Sequence, residues 1–240
     1  MCHEKIWEIQ KSEGSEYLIE IQKFLFIEYT RLFGEDIMNA EQCLIFNDSR
    51  SAYPMIITST TPIMIMLAQT SLNYWAQTIF QLSHELCHYV IRQYKSDKDF
   101  TLSWLEEIIC EAMSLYILKW SAENWHLCNL FNINQSFDES IQSYLMNELN
   151  KLGTDELKKC TDIELLREYE FQKSTMRDSH RDERNSLYYE VIKKPEDIKK
   201  LCYYTQYVQK NGLTIDFLKW SEKDDSKIIK FLSVIQPVKN

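Results

Sequence analysis

Residues 72–93 read LNYWAQTIFQLSHELCHYVIRQ, and the helical spacing of their apolar side chains predicts one long amphipathic helix. Near its middle, residues 84–88 form the pattern H-E-x-x-H. Because positions i and i+4 share one face of an α-helix, His84 and His88 can direct both imidazoles toward a single metal ion. Glu85 lies beside them and can reach a water molecule bound to that metal. The pattern at residues 84–88 therefore predicts a metal centre on this helix.

A catalytic zinc site needs a third protein ligand and one open position for water. The candidates lie on the next predicted helix, which opens with a possible S-x-x-E capping box at residues 103–106. Glu107 and Glu111 share a face of that helix. We expect Glu107 to bind the metal and Glu111 to accept a hydrogen bond that fixes the tautomer of a ligand histidine. His3 and His126 have no partner at the spacing of metal ligands.

Two families share these motifs. The spacing of H-E-x-x-H, eighteen residues and then Glu107 resembles that of the gluzincin zinc metallopeptidases, notably the aminopeptidase N family, and residues 104–107 are similar to its W-L-x-E segment. Residues 79–88, IFQLSHELCH, are also similar to the ImmA/IrrE-type regulatory peptidases, and that alignment implies Glu111 as the third ligand instead. Both resemblances cover only about residues 60–120. They imply a zincin-like fold, a Zn²⁺ cofactor and hydrolysis of peptide bonds.

In the mechanism that these resemblances imply, Glu85 is the general base that takes a proton from the metal-bound water. Related enzymes add a donor from farther along the chain to stabilise the transition state. The possible donors lie in one polar helical segment and are Tyr188, Tyr189, His180 and Arg184. Each of these four can equally be a surface or packing residue.

The composition of the chain argues against several other classes of protein. The formal net charge is −9 over 240 residues, with basic residues scattered among acidic ones, so we expect no nucleic-acid partner. Seven cysteines, an odd number without a C-x-x-C pair, favour reduced and buried thiols. No signal peptide is recognisable, and the most apolar segment, residues 54–67, is too short to span a bilayer. We therefore expect a cytoplasmic protein that acts on a peptide or protein substrate, with no membrane partner.

The chain as a whole is predicted to be α+β and mostly helical. A small N-terminal sheet would pack on the active-site helix in a zincin-like arrangement, with a helical C-terminal part beyond it. We expect a metallopeptidase region over residues 1–125 and a helical region over residues 126–240. The predicted helices, apart from the two above, are Ser15–Phe33, Ser136–Leu152, Asp162–Phe171, Asp182–Val191, Pro195–Gln209 and Thr214–Lys223, and the predicted strands are Cys43–Phe46, Met55–Thr58 and Ile63–Leu67.

Two questions stay open at the level of sequence. The strand Ile63–Leu67 can be a sheet edge that pairs with extended substrate, as in gluzincins, or an ordinary core strand. The chain can be an intracellular metallopeptidase with a narrow protein substrate, a zinc hydrolase acting on another amide, or a non-catalytic interaction protein that keeps the fold.

Overall fold

The computed structural model describes residues 6–238, which are mostly helical and include one four-stranded sheet. Cys2 and His3 lie outside the described residues. The strands are β1 (Trp7–Ile9), β2 (Cys43–Asn47), β3 (Met55–Ile57) and β4 (Ile63–Leu67). The α-helices are α1 (Ser15–Phe33), α2 (Glu35–Met38), α3 (Trp75–Tyr94), α4 (Ser103–Glu123), α5 (Phe137–Asn150), α6 (Ile163–Gln172), α7 (Arg181–Val191), α8 (Ile198–Leu201), α9 (Phe217–Lys223) and α10 (Lys227–Ile235).

The chain forms two compact units, each assembled from two separate segments. Unit 1 runs through Val90 and resumes over Ile117–Glu148. Unit 2 comprises Ile91–Tyr116 and the chain from Leu149 onward. Helices α3 and α4 therefore each contribute residues to both units.

The sheet belongs to unit 1 and has the strand order β1-β2-β4-β3. The pairs β1–β2 and β2–β4 are parallel, and β3 runs antiparallel to β4. Because β4 pairs on both sides, the expectation that it forms a substrate-binding edge is wrong, and the alternative of a core strand is confirmed. Its nearly continuous burial, with Ile65 and Leu67 fully enclosed, is typical of a strand covered on both faces. The edge strands are β1 and β3.

Most predicted elements of the N-terminal half are confirmed. Helix α1 has the predicted bounds and ends at Gly34, whose φ of +97° a residue with a side chain rarely adopts. Helix α3 begins at Trp75 rather than Leu72, because the Ser71 hydroxyl accepts a hydrogen bond of 3.2 Å from the Asn73 N–H and holds a turn there. Strand β1 was not predicted, since three residues carry too little periodicity.

The C-terminal half departs from the prediction in the segment after Pro195 and again at its last helix. The single helix expected over Pro195–Gln209 is wrong: a 3₁₀ turn, helix α8 and a second 3₁₀ turn occupy this segment. Three buried side chains, Ile198, Leu201 and Tyr204, recur every third residue. Asp197 and Cys202 are buried as well, so the buried positions also fit a helix of 3.6 residues per turn, and the local pattern does not reveal the 3₁₀ turns. Helix α10 was also not predicted.

The prediction of reduced, buried thiols is confirmed for the described cysteines. All six are buried, and none of them forms a disulfide; they are Cys43, Cys87, Cys110, Cys128, Cys160 and Cys202. Over residues 6–238, no helix combines the length and the apolar character that crossing a bilayer requires.

Candidate metal centre

Helix α3 is anchored just before His84 by hydrogen bonds within unit 1. The side-chain amide of Gln81 accepts a bond from the Ala68 N–H at 3.0 Å and donates one to the Ala68 carbonyl at 3.1 Å, which ties the helix to the end of β4. The Tyr29 hydroxyl donates to the Ser83 carbonyl at 2.5 Å. These contacts hold the backbone of the helix immediately before His84. The position from which the His84 side chain extends is therefore well defined.

His84 and His88 lie one turn apart on α3, and their Nε2 atoms are 3.1 Å apart. The ring planes meet at 70° with their centroids 4.8 Å apart. In a tetrahedral zinc site with Zn–N bonds of about 2.0–2.1 Å, two ligand nitrogens lie about 3.3–3.4 Å apart. The two imidazoles therefore have nearly the spacing that a shared zinc ion requires.

Glu107 on α4 completes a group of three potential metal ligands. One ligand atom from each of His84, His88 and Glu107 lies within 4.8 Å of the other two. Ligands of one zinc ion lie somewhat closer together than this limit. Two imidazoles and one carboxylate are a donor set that suits zinc. His84 is buried while His88 and Glu107 are half-buried, so water can reach the group.

The beginning of α4 is capped by a residue distant in sequence. Glu170 on α6 accepts hydrogen bonds from the Ser103 N–H at 2.6 Å and from the Trp104 N–H at 2.8 Å. Burial raises the pKa of Glu170, and these two hydrogen bonds oppose that increase. The predicted capping box is therefore wrong, because the Ser103 N–H bonds to Glu170 and not to the side chain of Glu106.

Glu106 instead forms a buried polar cluster within unit 2. Its carboxylate lies 2.7 Å from the Lys95 ammonium and accepts a hydrogen bond from the Tyr204 hydroxyl. The same hydroxyl accepts a bond of 3.2 Å from the Leu102 N–H. Burial and the neighbouring carboxylate raise the pKa of Tyr204 well above its ordinary value, so its proton stays in place. This cluster fixes the helical turn that carries Glu107.

Glu111, one turn beyond Glu107, is fully buried. Its carboxylate accepts a hydrogen bond of 3.0 Å from Arg184 and lies 3.4 Å from the Arg177 guanidinium and 4.0 Å from the His180 ring. The two guanidinium groups compensate a charge that would otherwise be costly to bury. Of these two glutamates, it is Glu107 that belongs to the group of potential metal ligands. That Glu111 orients a ligand histidine stays a prediction.

The four predicted transition-state donors differ in their environments. Arg184 is fully buried and bound to Glu111, while the His180 Nδ1 lies 3.1 Å from both the Tyr169 hydroxyl and the Ser179 hydroxyl. Tyr188 is 4 % exposed and Tyr189 is 51 % exposed. Their role as donors stays a prediction. His126, which the sequence left without a role, is exposed.

No sequence pattern indicated that Glu170, Lys95 or Tyr204 would lie in this region. Glu170 follows Trp104 by 66 residues, so no local pattern links them. Lys95 lies in a polar connection that predicts an exposed loop, yet its side chain is 3 % exposed. Only the long-range packing of unit 2 brings these residues to α4.

Comparisons with protein-family models, with curated proteins and with solved structures returned no match to this chain.

Proposed function

We propose that this protein is a zinc-dependent metallopeptidase that hydrolyses peptide bonds in a narrow set of protein substrates. The observation that supports the proposal is the convergence of His84, His88 and Glu107 within 4.8 Å, with Glu85 on the same helix as the histidines. Three protein ligands leave a fourth position for water and substrate, as catalytic zinc sites require.

Each residue has a distinct part in the proposed reaction. His84, His88 and Glu107 hold the metal, which when bound supplies a Lewis acid for the scissile carbonyl and an acidified water. Glu85, which is 2 % exposed, takes the proton of the attacking water and later passes it to the leaving amine. Its burial keeps the carboxylate in one position, so the proton transfer needs little rearrangement.

The first test is the metal content of protein purified without chelator and resupplied with zinc. We expect about one zinc ion per wild-type chain and a large loss in the His88→Ala variant. The matched control is His126→Ala, which removes an exposed histidine and should keep the metal. Absence of zinc from the resupplied wild-type protein would contradict the proposal.

The second test is cleavage of a proteome-derived peptide mixture, read by mass spectrometry. Glu85→Gln should keep zinc and slow cleavage by about 10² to 10⁴-fold, the usual contribution of a general base. Cleavage at the wild-type rate by Glu85→Gln would overturn the peptidase assignment.

One observation favours a second candidate, a non-catalytic interaction protein. The 3.1 Å between the two Nε2 atoms is also the length of a hydrogen bond between imidazoles, which needs no metal. In that case zinc resupply would leave the protein metal-free, and neither His88→Ala nor Glu85→Gln would alter its biological activity.

A further inference from the structure

A cavity lies within unit 2, between the beginning of α7 and the end of α10. Its volume is about 540 Å³, which is large enough for a small organic ligand. The polar part of its wall includes Lys158, Asp182 and Glu183, and the opposite part includes Tyr189 and the segment 234–237. None of these residues belongs to the candidate metal centre.

Glu183 is the most unusual group in this wall. The residue is 5 % exposed, and its Oε2 atom is buried without a hydrogen-bond donor. Burial raises the pKa of this carboxyl. The carboxylate also accepts a hydrogen bond from its own backbone N–H at the start of α7, which opposes that increase only in part. A buried carboxylate oxygen without a donor is costly unless a cation or donor arrives to meet it.

The nearby ammonium group is already neutralised by other carboxylates. The Nζ atom of Lys158 lies 2.9 Å from Oδ1 of Asp155 and 2.5 Å from Oδ2 of Asp182. Two carboxylates thus share one cation, and Glu183 adds a further negative charge to the cavity wall. The local charge is therefore negative and would attract a cation rather than an anion.

The opposite wall favours the same sign of charge for an independent reason. Residues 234 and 235 are the last two residues of α10, a helix of nine residues, and residues 236 and 237 follow directly after it. The last carbonyl groups of a helix lack intrahelical partners and carry partial negative charge, so cations are stabilised there. Tyr189 and Val234 are 51 % and 67 % exposed and offer an aromatic and an aliphatic surface beside these charges.

We propose that this cavity binds an organic cation, namely an ammonium or guanidinium group on an aliphatic stem. The charged head would meet the Glu183 carboxylate and the carbonyl end of α10, while the stem would lie along Tyr189 and Val234. A divalent metal ion fits less well, because it requires several oxygen ligands and two of the nearby carboxylates already bind Lys158. The cation can be a free amine or a basic side chain of a peptide.

The test is calorimetric titration of the full-length protein with two probes, agmatine and Nα-acetyl-lysine N-methylamide. The first represents a free amine and the second a peptide-borne lysine, so their relative affinities identify the source. Nα-acetyl-norleucine N-methylamide, which lacks the charge, serves as the neutral probe. We expect saturable binding of at least one cation and none of the neutral probe. Absence of saturable binding of both cations, or equal binding of the neutral probe, would overturn the proposal.

Two pairs of variants locate the binding. Glu183→Gln should weaken binding by about tenfold or more, because it removes a charged acceptor while keeping the shape. Its control is Glu190→Gln on the same helix, whose carboxylate pairs with Lys193 at 2.6 Å and lies outside this cavity. Equal loss in both variants, or no loss in Glu183→Gln, would contradict the assignment.

The second pair leaves the buried carboxylate untouched. Val234→Lys places an ammonium on the exposed rim, where it should occupy the site and prevent binding, whereas Val234→Leu should bind like the wild type. This pair remains informative if Glu183→Gln does not fold. Unchanged binding by Val234→Lys would count against the site.

Discussion

Arg184 donates a hydrogen bond of 3.0 Å to Oε2 of Glu111, and neither side chain is exposed to solvent. The two residues are 73 positions apart, and both belong to unit 2. A buried ion pair of this kind depends on both partners, because removing one leaves the other charge buried without its main compensation. The pair is therefore a sensitive point for the stability of unit 2.

Arg184→Met should lower the free energy of unfolding by about 3–5 kcal/mol, since it leaves the Glu111 carboxylate buried with only the longer contacts to Arg177 and His180. Urea unfolding followed by circular dichroism measures this loss. The control is Arg167→Met, which removes an arginine that is 58 % exposed and should change stability by less than about 1 kcal/mol. The double variant Glu111→Leu/Arg184→Met should recover much of the loss. A cost for Arg184→Met no larger than that of Arg167→Met would contradict the prediction.

The cap that Glu170 provides on α4 should make stability depend on pH. Burial raises the pKa of this carboxyl above its ordinary value of 4.5, so the folded state binds the proton more tightly than the unfolded chain does. Its contribution to stability is therefore greatest in acid and falls as the pH rises through the raised pKa. As the pH rises from 4.5, the free energy of unfolding of the wild type should therefore fall relative to that of Glu170→Gln.

The measurement for Glu170 is urea unfolding of both proteins at a series of pH values. Glu164→Gln on the same helix serves as the control, because its side chain is 86 % exposed and should give no such trend. A difference between wild type and Glu170→Gln that stays constant with pH, or that favours the wild type as the pH rises, would contradict the expected sign.

The part of the fold that sequence predicts well is the part governed by local pattern. Helix α1 has a clear apolar face and a glycine at its end, and β4 is a continuous apolar run between turn residues. The prediction for the segment after Pro195 is wrong because Tyr204 is buried against Glu106, and no local propensity encodes this tertiary contact.

The same division applies to the candidate site. The two histidines could be predicted as a pair of potential ligands because one helix turn determines their relationship, and Glu107 could be added because its spacing resembles that of a known family. That Glu85 acts as a general base stays a prediction. The cap from Glu170 and the buried ammonium of Lys95 could not, since each depends on a contact between residues with no shared motif. Sequence thus predicts which residues could bind a metal better than it predicts what holds them in place.

The described cysteines should resist thiol reagents in the folded protein. Burial raises the pKa of Cys43 to about 12 and that of Cys128 to about 11. At pH 8 a thiol with a pKa of 12 is ionised to only about one part in 10⁴, and the thiolate is the reactive form. In a Cys2→Ser variant, Ellman's reagent should modify none of the six described thiols rapidly before denaturation and all six after it. Rapid labelling of the native protein would show that a buried thiol is accessible.

The identity of the third metal ligand can be tested through stability, without any substrate. A ligand that binds only the folded state stabilises it by about 2.7 kcal/mol at 100 times its dissociation constant, so zinc should raise the melting temperature of the wild type. Glu107→Ala should abolish this gain, because its carboxylate converges with the two imidazoles. The double variant Glu111→Leu/Arg184→Met should keep the gain despite its altered core, because the Glu111 carboxylate pairs with Arg184. His126→Ala provides the baseline for a histidine outside the group. Loss of the zinc effect in the double variant and its persistence in Glu107→Ala would assign the ligand to Glu111, as the ImmA/IrrE resemblance implies.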